Sequence, residues 1–230
     1  MSKTAEEEKG SLMLEWVGLG DDDYIAARQL LLAPTNNSIV QAIGLSNTAI
    51  EKYIKALCIA LDLEIPKGGQ KGHNISDLYK KIKEKDIGLE INEEYLELLY
   101  KAYGLRYRDK LQIGFNITLC KIKLLVELDH TVYEIKKGMS FEKGGEKVKT
   151  RFDTLLEEKA PALLDKNCYF GDCDRSALFK GKSPCYELRV DKGRKIIESS
   201  MMRSRIEDNG KFDIEALKPD CKGTYKLAKV

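Results

Sequence analysis

Long apolar stretches are missing from this 230-residue chain. Its unbroken hydrophobic runs are a few residues each, far short of the roughly 20 that a membrane-spanning helix needs. The opening Met1-Ser-Lys-Thr-Ala-Glu-Glu-Glu-Lys is charged and lacks the apolar centre of a signal peptide. No membrane partner and a cytoplasmic location are therefore expected, in a compartment where thiols stay reduced. Tight cysteine pairs are also missing. Cys58, Cys120, Cys168, Cys173, Cys185 and Cys221 contain no C-x2-C, the spacing zinc sites favour, so no metal site and no cofactor are expected. Cys58 and Cys120 read as core residues on apolar helical faces. Histidine is scarce, with only His73 and His130. The chain also has no G-x4-G-K-[ST] phosphate loop, G-x-G-x-x-G turn, G-x-S-x-G elbow or H-E-x-x-H pair. These absences remove the enzyme classes built on those motifs.

What is present is ordinary globular material, 33% charged and 43% hydrophobic, in a chain long enough to bury its own core. The net charge of +2 is unevenly spread: residues from Lys166 onward carry +5 and the rest −3. A mildly basic tail is most simply a solvated surface, and it also suits contact with phosphates.

Helical periodicity dominates the first 138 residues. The first ten residues are polar and charged, and are expected to be disordered. Leu12, Leu14, Trp16 and Val17 form a small apolar knot. The Asp21-Asp22-Asp23 run predicts a helix start, because Asp caps well and negative charge suits the positive end of the helix dipole. This helix stops at Pro34. A second, from about Asn37 to Asp62, carries Ile39, Ile43, Ile50, Tyr53, Ile54, Leu57 and Leu61 at the helical period. Gly44 inside it costs about 1 kcal/mol against Ala, which predicts close packing there. Pro66-Lys-Gly-Gly-Gln-Lys-Gly72 is a connector. A third helix opens at His73, with Asn74 or Ser76 as cap, and ends near Gly88. A fourth runs from Asn92 to Gly104. A fifth, about Leu111 to Lys137, ends at Gly138. Beyond Gly144-Gly145 one more helix, 146–164, is expected to be interrupted near Pro161, followed by short β-like runs at 185–190, 195–198 and 224–227.

The order of these elements and four local patterns resemble the HEPN domain family over residues 20 to about 138. The patterns are Ala26-Ala-Arg-x-Leu-Leu; Thr48-Ala-Ile-Glu-Lys-Tyr-Ile-Lys-Ala-Leu, similar to the family's A-x-E-K-x-x-K-A-L; Gly72-His-Asn-Ile-x-x-Leu; and Arg106-Tyr-x-Asp109, similar to R-Y-P-D with Arg108 in place of Pro. The resemblance implies a mainly α protein: a five-helix, HEPN-like up-and-down bundle over 20–138. An N-terminal tail and apolar knot (1–19) would precede it, and a small α+β extension (139–230) would follow.

Ribonuclease members of that family use an Arg followed, after four to six intervening residues, by His. From Arg106 that place falls on Leu111, Gln112 or Ile113, and from Arg108 on Ile113, Gly114 or Phe115. None is His, so the catalytic pair does not carry over. The resemblance then implies a non-catalytic binding or interaction protein. It would recognise RNA, a nucleotide or a partner protein in a prokaryotic defence or toxin–antitoxin setting, and it would be a homodimer. One alternative is a metal-independent ribonuclease with a displaced pair, His73 with Arg106 or Arg108. Another is an accessory subunit of a nucleotidyltransferase.

The candidate ligand-binding residues are Arg28, Glu51, Lys52, Lys55, His73, Arg106, Tyr107, Arg108 and Asp109. Glu51 and Lys55 are spaced to form an i,i+4 surface pair worth roughly 0.2–0.5 kcal/mol. With Arg28 and Lys52 they equally well line a groove between the first two helices. Arg106, Arg108 and Lys110, interleaved with Tyr103 and Tyr107, suit phosphate and base. Arg106 and Asp109 also suit a local pair that fixes the link, with Tyr103 in the core. His130, among apolar neighbours, reads as packing.

Overall fold

The computed structural model describes residues 4–34, 39–66, 73–107, 111, 113–143, 146–180 and 183–203, and the side chains of these except 143 and 199–203. The protein is mainly helical, with a small three-stranded antiparallel sheet and a two-stranded hairpin.

Helix α1 is Ala5–Leu32, about 42 Å long at 1.5 Å per residue. It begins far before the Asp run. Thr4 and Glu7 form a reciprocal capping box, and Glu6, Glu7 and Glu8 sit in the first turn, where the dipole favours them. From Ala5 onward, the stretch expected to be disordered is therefore helix. The Asp run lies mid-helix because tertiary partners satisfy Asp21. Its carboxylate accepts from Tyr53 Oη (2.7 Å) and the Phe152 backbone N–H (3.1 Å), and pairs with Lys136 Nζ (2.5 Å).

Helix α2, Ile39–Ala60, packs along α1 over most of its length. Gly20 makes the close approach possible: a Cβ there would lie 2.9 Å from the Tyr53 ring. Helices α3, Ile75–Lys83, and α4, Glu93–Tyr103, start at the expected caps. Asn74 accepts from Asp77 N, and Asn92 from Glu94 N and Tyr95 N. A 3-10 turn, Gly104–Arg106, follows α4.

The expected fifth helix is shorter than its apolar stripe. Residues Asn116–Cys120 form strand β1, and α5 is Lys121–Lys136. The stripe Ile113, Ile117, Cys120 fits a helix on spacing alone. It extends because β1 has a partner 65 to 73 residues away: β4, Ser183–Val190, pairs with it from Asn116↔Arg189 to Cys120↔Cys185. Strand β5, Ile196–Arg203, completes the order β1-β4-β5.

Between them lie the hairpin β2 (Glu142–Lys143) and β3 (Glu146–Lys147), and the short helices α6 (Arg151–Glu157), α7 (Pro161–Leu164) and α8 (Arg175–Lys180). The expected 146–164 helix breaks where Lys159 takes a left-handed φ of 52° and Pro161 opens α7. The expected β-run at 224–227 lies outside the described residues.

One core runs through all of this, from Val17 to Val190. α5 sits inside it, with charged residues buried beside apolar ones. Arg28 and Asp129 form a buried ion pair. Tyr24 Oη donates to Asp129 (2.8 Å), and Arg28 also reaches the carbonyls of Ala162 and Asp165. Burial pushes the Asp129 carboxyl up to about 6, while Arg28 and Tyr24 pull it down.

Candidate functional site

Gly44, Glu51 and Lys55 share a stripe of α2, spaced seven and four apart. Lys55 Nζ donates to Glu51 Oε1 (2.6 Å), and His73 Nδ1 meets the same oxygen at 2.9 Å. This i,i+4 pair is not a surface pair, because Glu51 and Lys55 side chains are only 8% and 10% exposed. Trp16 covers it from α1, with Lys55 Nζ 5.0 Å from its ring centroid. His73 stands at the rim, with half its side chain in solvent.

One end of the stripe is built from α4 and its 3-10 turn. Arg106 lies directly on Gly44, and a Cβ there would meet Arg106 Cδ at 2.6 Å. The close packing expected at Gly44 is thus with a cation. The Arg106 guanidinium sits 5.1 Å from the Tyr103 ring, and Tyr103 Oη shares a 3.1 Å hydrogen bond with Tyr107 Oη. Burial pushes the Tyr103 hydroxyl up to about 12, helped by Tyr107; the Arg106 cation lowers it and the Glu51 carboxylate raises it. Tyr103 therefore feels both ends of the arrangement.

Five of the nine candidates gather here: Glu51, Lys55, His73, Arg106 and Tyr107. Two stand elsewhere. Arg28 has no exposed surface and belongs to the buried pair with Asp129. Lys52 points toward α1, donating to Asp23 (2.7 Å) and the Leu19 carbonyl (3.4 Å). Arg108 and Asp109, with the proposed Arg106–Asp109 pair, lie outside the described residues. Trp16 was missed as a wall of the site. Its sequence signal was lost once α1 was expected to start after Asp23, which left Trp16 in a separate knot.

Two cations, one carboxylate and three partly exposed aromatic rings make a site suited to a planar ring and an adjoining negative charge. As a proton-transfer site it is spread out. The α2 positions under Arg106 and His73, Gly44 and Glu51, are about 10 Å apart along the helix. His130 lies elsewhere on α5, 3.6 Å from Glu127, with its ring centroid 5.1 Å from that of Tyr169.

Cys58 and Cys120 are both core residues, as expected. Cys120 is not on a helical face: it ends β1 opposite Cys185, at the N-cap position of α5. A hydrogen bond with Cys185, then backbone N–H groups of α5, pull its thiol down to about 7. Cys168 and Cys173 interact with each other, and Cys221 lies outside the described residues.

An α-helical domain that carries a polar, aromatic-lined stripe on its second helix is the class these features define. Residues 13–123 match the model of the HEPN domain family. The match begins inside α1, ahead of the Asp run, and ends just inside α5. No curated protein and no solved structure matches the chain. No helix among the described residues is long and apolar enough to cross a membrane.

Proposed function

We propose that this HEPN domain is a non-catalytic binding module whose α2 stripe recognises a nucleotide unit of RNA. The observation that carries the reading is Arg106 laid on Gly44 beside Tyr103 and Tyr107. It presents a phosphate-gripping fork next to rings on which a base stacks. The spread between Arg106 and His73 favours binding over cleavage, since general acid–base chemistry needs both groups within hydrogen-bond reach of one reacting centre.

The test is labelled total RNA incubated with the protein in EDTA, run on native and denaturing gels beside Arg106→Ala. A native shift without cleavage, weakened in the variant, is expected. Absence of any shift would remove RNA from the reading.

Gly44→Ala probes the same geometry without touching a polar group. The new methyl displaces the flexible Arg106 side chain while helix propensity gains up to about 1 kcal/mol. The expected result is RNA affinity lowered about tenfold with the melting temperature unchanged or raised. An unchanged affinity would show that Arg106 does not act from this position.

One observation favours a second reading. Glu51 holds His73 Nδ1, the arrangement that orients an imidazole as a base. A ribonuclease using His73 with Arg106 would cut RNA in EDTA and lose the activity in His73→Ala.

Homodimer formation, a nucleotidyltransferase partner and a defence or toxin–antitoxin role extend the main reading. Leu12 and Leu19, exposed one above the other on α1, support the dimer, which light scattering on the purified protein tests.

A further inference from the structure

The β4–β5 hairpin lies outside the HEPN match and has its own electrostatic character. Strand β4 outlasts β1, whose last pair is Asn116↔Arg189, so the turn 191–195 projects past the sheet's short strand. Arg189, Lys192, Arg194 and Lys195 are all exposed within seven residues. Asp191 is the only acid among them, and it is used by the turn: its carboxylate accepts from Lys195 N (2.8 Å) and its carbonyl from Arg194 N (3.0 Å).

Among the described residues, the side chains of these four cations take part in no ion pair or hydrogen bond. Several cations elsewhere on the surface are engaged. Lys9, Lys52, Lys83, Lys101, Lys149 and Arg151 each hold a carboxylate at 2.6–2.7 Å. The tip is held in place by Gly114 N donating to Val190 O (3.0 Å) and Val190 N to Phe115 O (2.8 Å). Arg194 also occupies a left-handed φ of 54°, a conformation a glycine adopts without cost.

We infer that this hairpin tip is a phosphate-backbone contact for a single RNA strand, a second surface beyond the α2 stripe. The chemistry points to a polyanion read by charge alone. The turn 191–195 carries no apolar side chain, so it lacks both the buried centre of a protein interface and the wedge of a membrane anchor. Contacts to phosphate position a strand without reading its sequence. The inference rests on the reading that this protein binds RNA, but not on Arg106 being where it does so. Only seven residues lie between Tyr107 and Phe115, so their backbones are at most about 29 Å apart. A strand of roughly ten nucleotides covers that distance.

The test is fluorescence anisotropy with 5′-labelled oligo(U) of 4 and 20 nucleotides, from 50 to 300 mM KCl. The proteins are the full chain, the Lys192→Ser/Arg194→Gly/Lys195→Ser variant and Arg106→Ala. The Arg194→Gly change relaxes the turn, and an unaltered melting temperature shows the hairpin intact. On the 20-mer the hairpin variant is expected to bind about tenfold more weakly at 50 mM, with the log–log salt slope reduced by about 2. Its affinity for the 4-mer is expected to match wild type. Arg106→Ala should weaken both oligomers.

Equal affinity and slope for wild type and the hairpin variant on the 20-mer overturn the inference. So does a wild type that does not bind the 20-mer. If the hairpin variant loses affinity while Arg106→Ala does not, the hairpin stands and the α2 stripe falls.

Discussion

Asp129→Ala is expected to lower folding stability by about 3–5 kcal/mol, because it leaves the Arg28 guanidinium buried without its counter-charge. Neither side chain has meaningful solvent access: they are 0% and 1% exposed. Tyr24 Oη and, through it, Asn167 lose an acceptor or neighbour in the same step. Urea unfolding measures the cost. A loss under 1 kcal/mol would mean that Arg28 finds solvent or another partner.

Asp129→Asn separates charge from packing. Burial places the native carboxyl at about 6, above its ordinary unfolded value near 3.9. Between pH 4 and 6 the native state therefore holds a proton that the unfolded chain does not. This stabilisation is complete below about pH 4 and is lost as pH rises through 6. Wild type should accordingly lose stability relative to Asp129→Asn across that window. A difference that stays flat from pH 4 to 7 would show that Arg28 keeps the carboxylate ionised throughout.

Asp21→Ala is expected to be of similar size, again about 3–5 kcal/mol. It strands the Lys136 ammonium, which lies 4.6 Å from the centroid of the Phe152 ring and is 10% exposed. Burial already holds that amine below its usual range, with Asp21 opposing the shift. The same change removes the acceptors of Tyr53 Oη and the Phe152 N–H at the start of α6. Loss of α6 protection in hydrogen exchange, together with the global loss, is the expected signature. Unchanged exchange at 150–157 would show that α6 docks without Asp21.

These two carboxylates explain what could and could not be read from the sequence. Local signals placed α2, α3 and α4, and their caps at Asn74 and Asn92, because capping and the 3.6-residue period act within a few residues. The Glu51–Lys55 pair and the tight packing at Gly44 were legible for the same reason. The long-range choices were not. An Asp run caps a helix by local rules, yet Asp21 lies inside α1 because Tyr53, Lys136 and Phe152, 32 to 131 residues away, satisfy it. Ile113, Ile117 and Cys120 fit a helical stripe, but β1 is a strand because β4 offers it a ladder. Arg28 was expected to line a groove between the first two helices, and only the packing of α5 and α7 shows that it is buried against Asp129.

The sequence by itself determined the helical class, the HEPN patterns, the absence of the ribonuclease His, and the chemical types at the α2 stripe. The tertiary structure decided which of those side chains meet. It put Trp16, His73 and Arg106 on the stripe, withdrew Arg28 and Lys52, and left the hairpin cations without an ion pair among the described residues. The physical reason is that burial and pairing depend on contacts between residues distant in the chain, whose partners no local period or cap encodes.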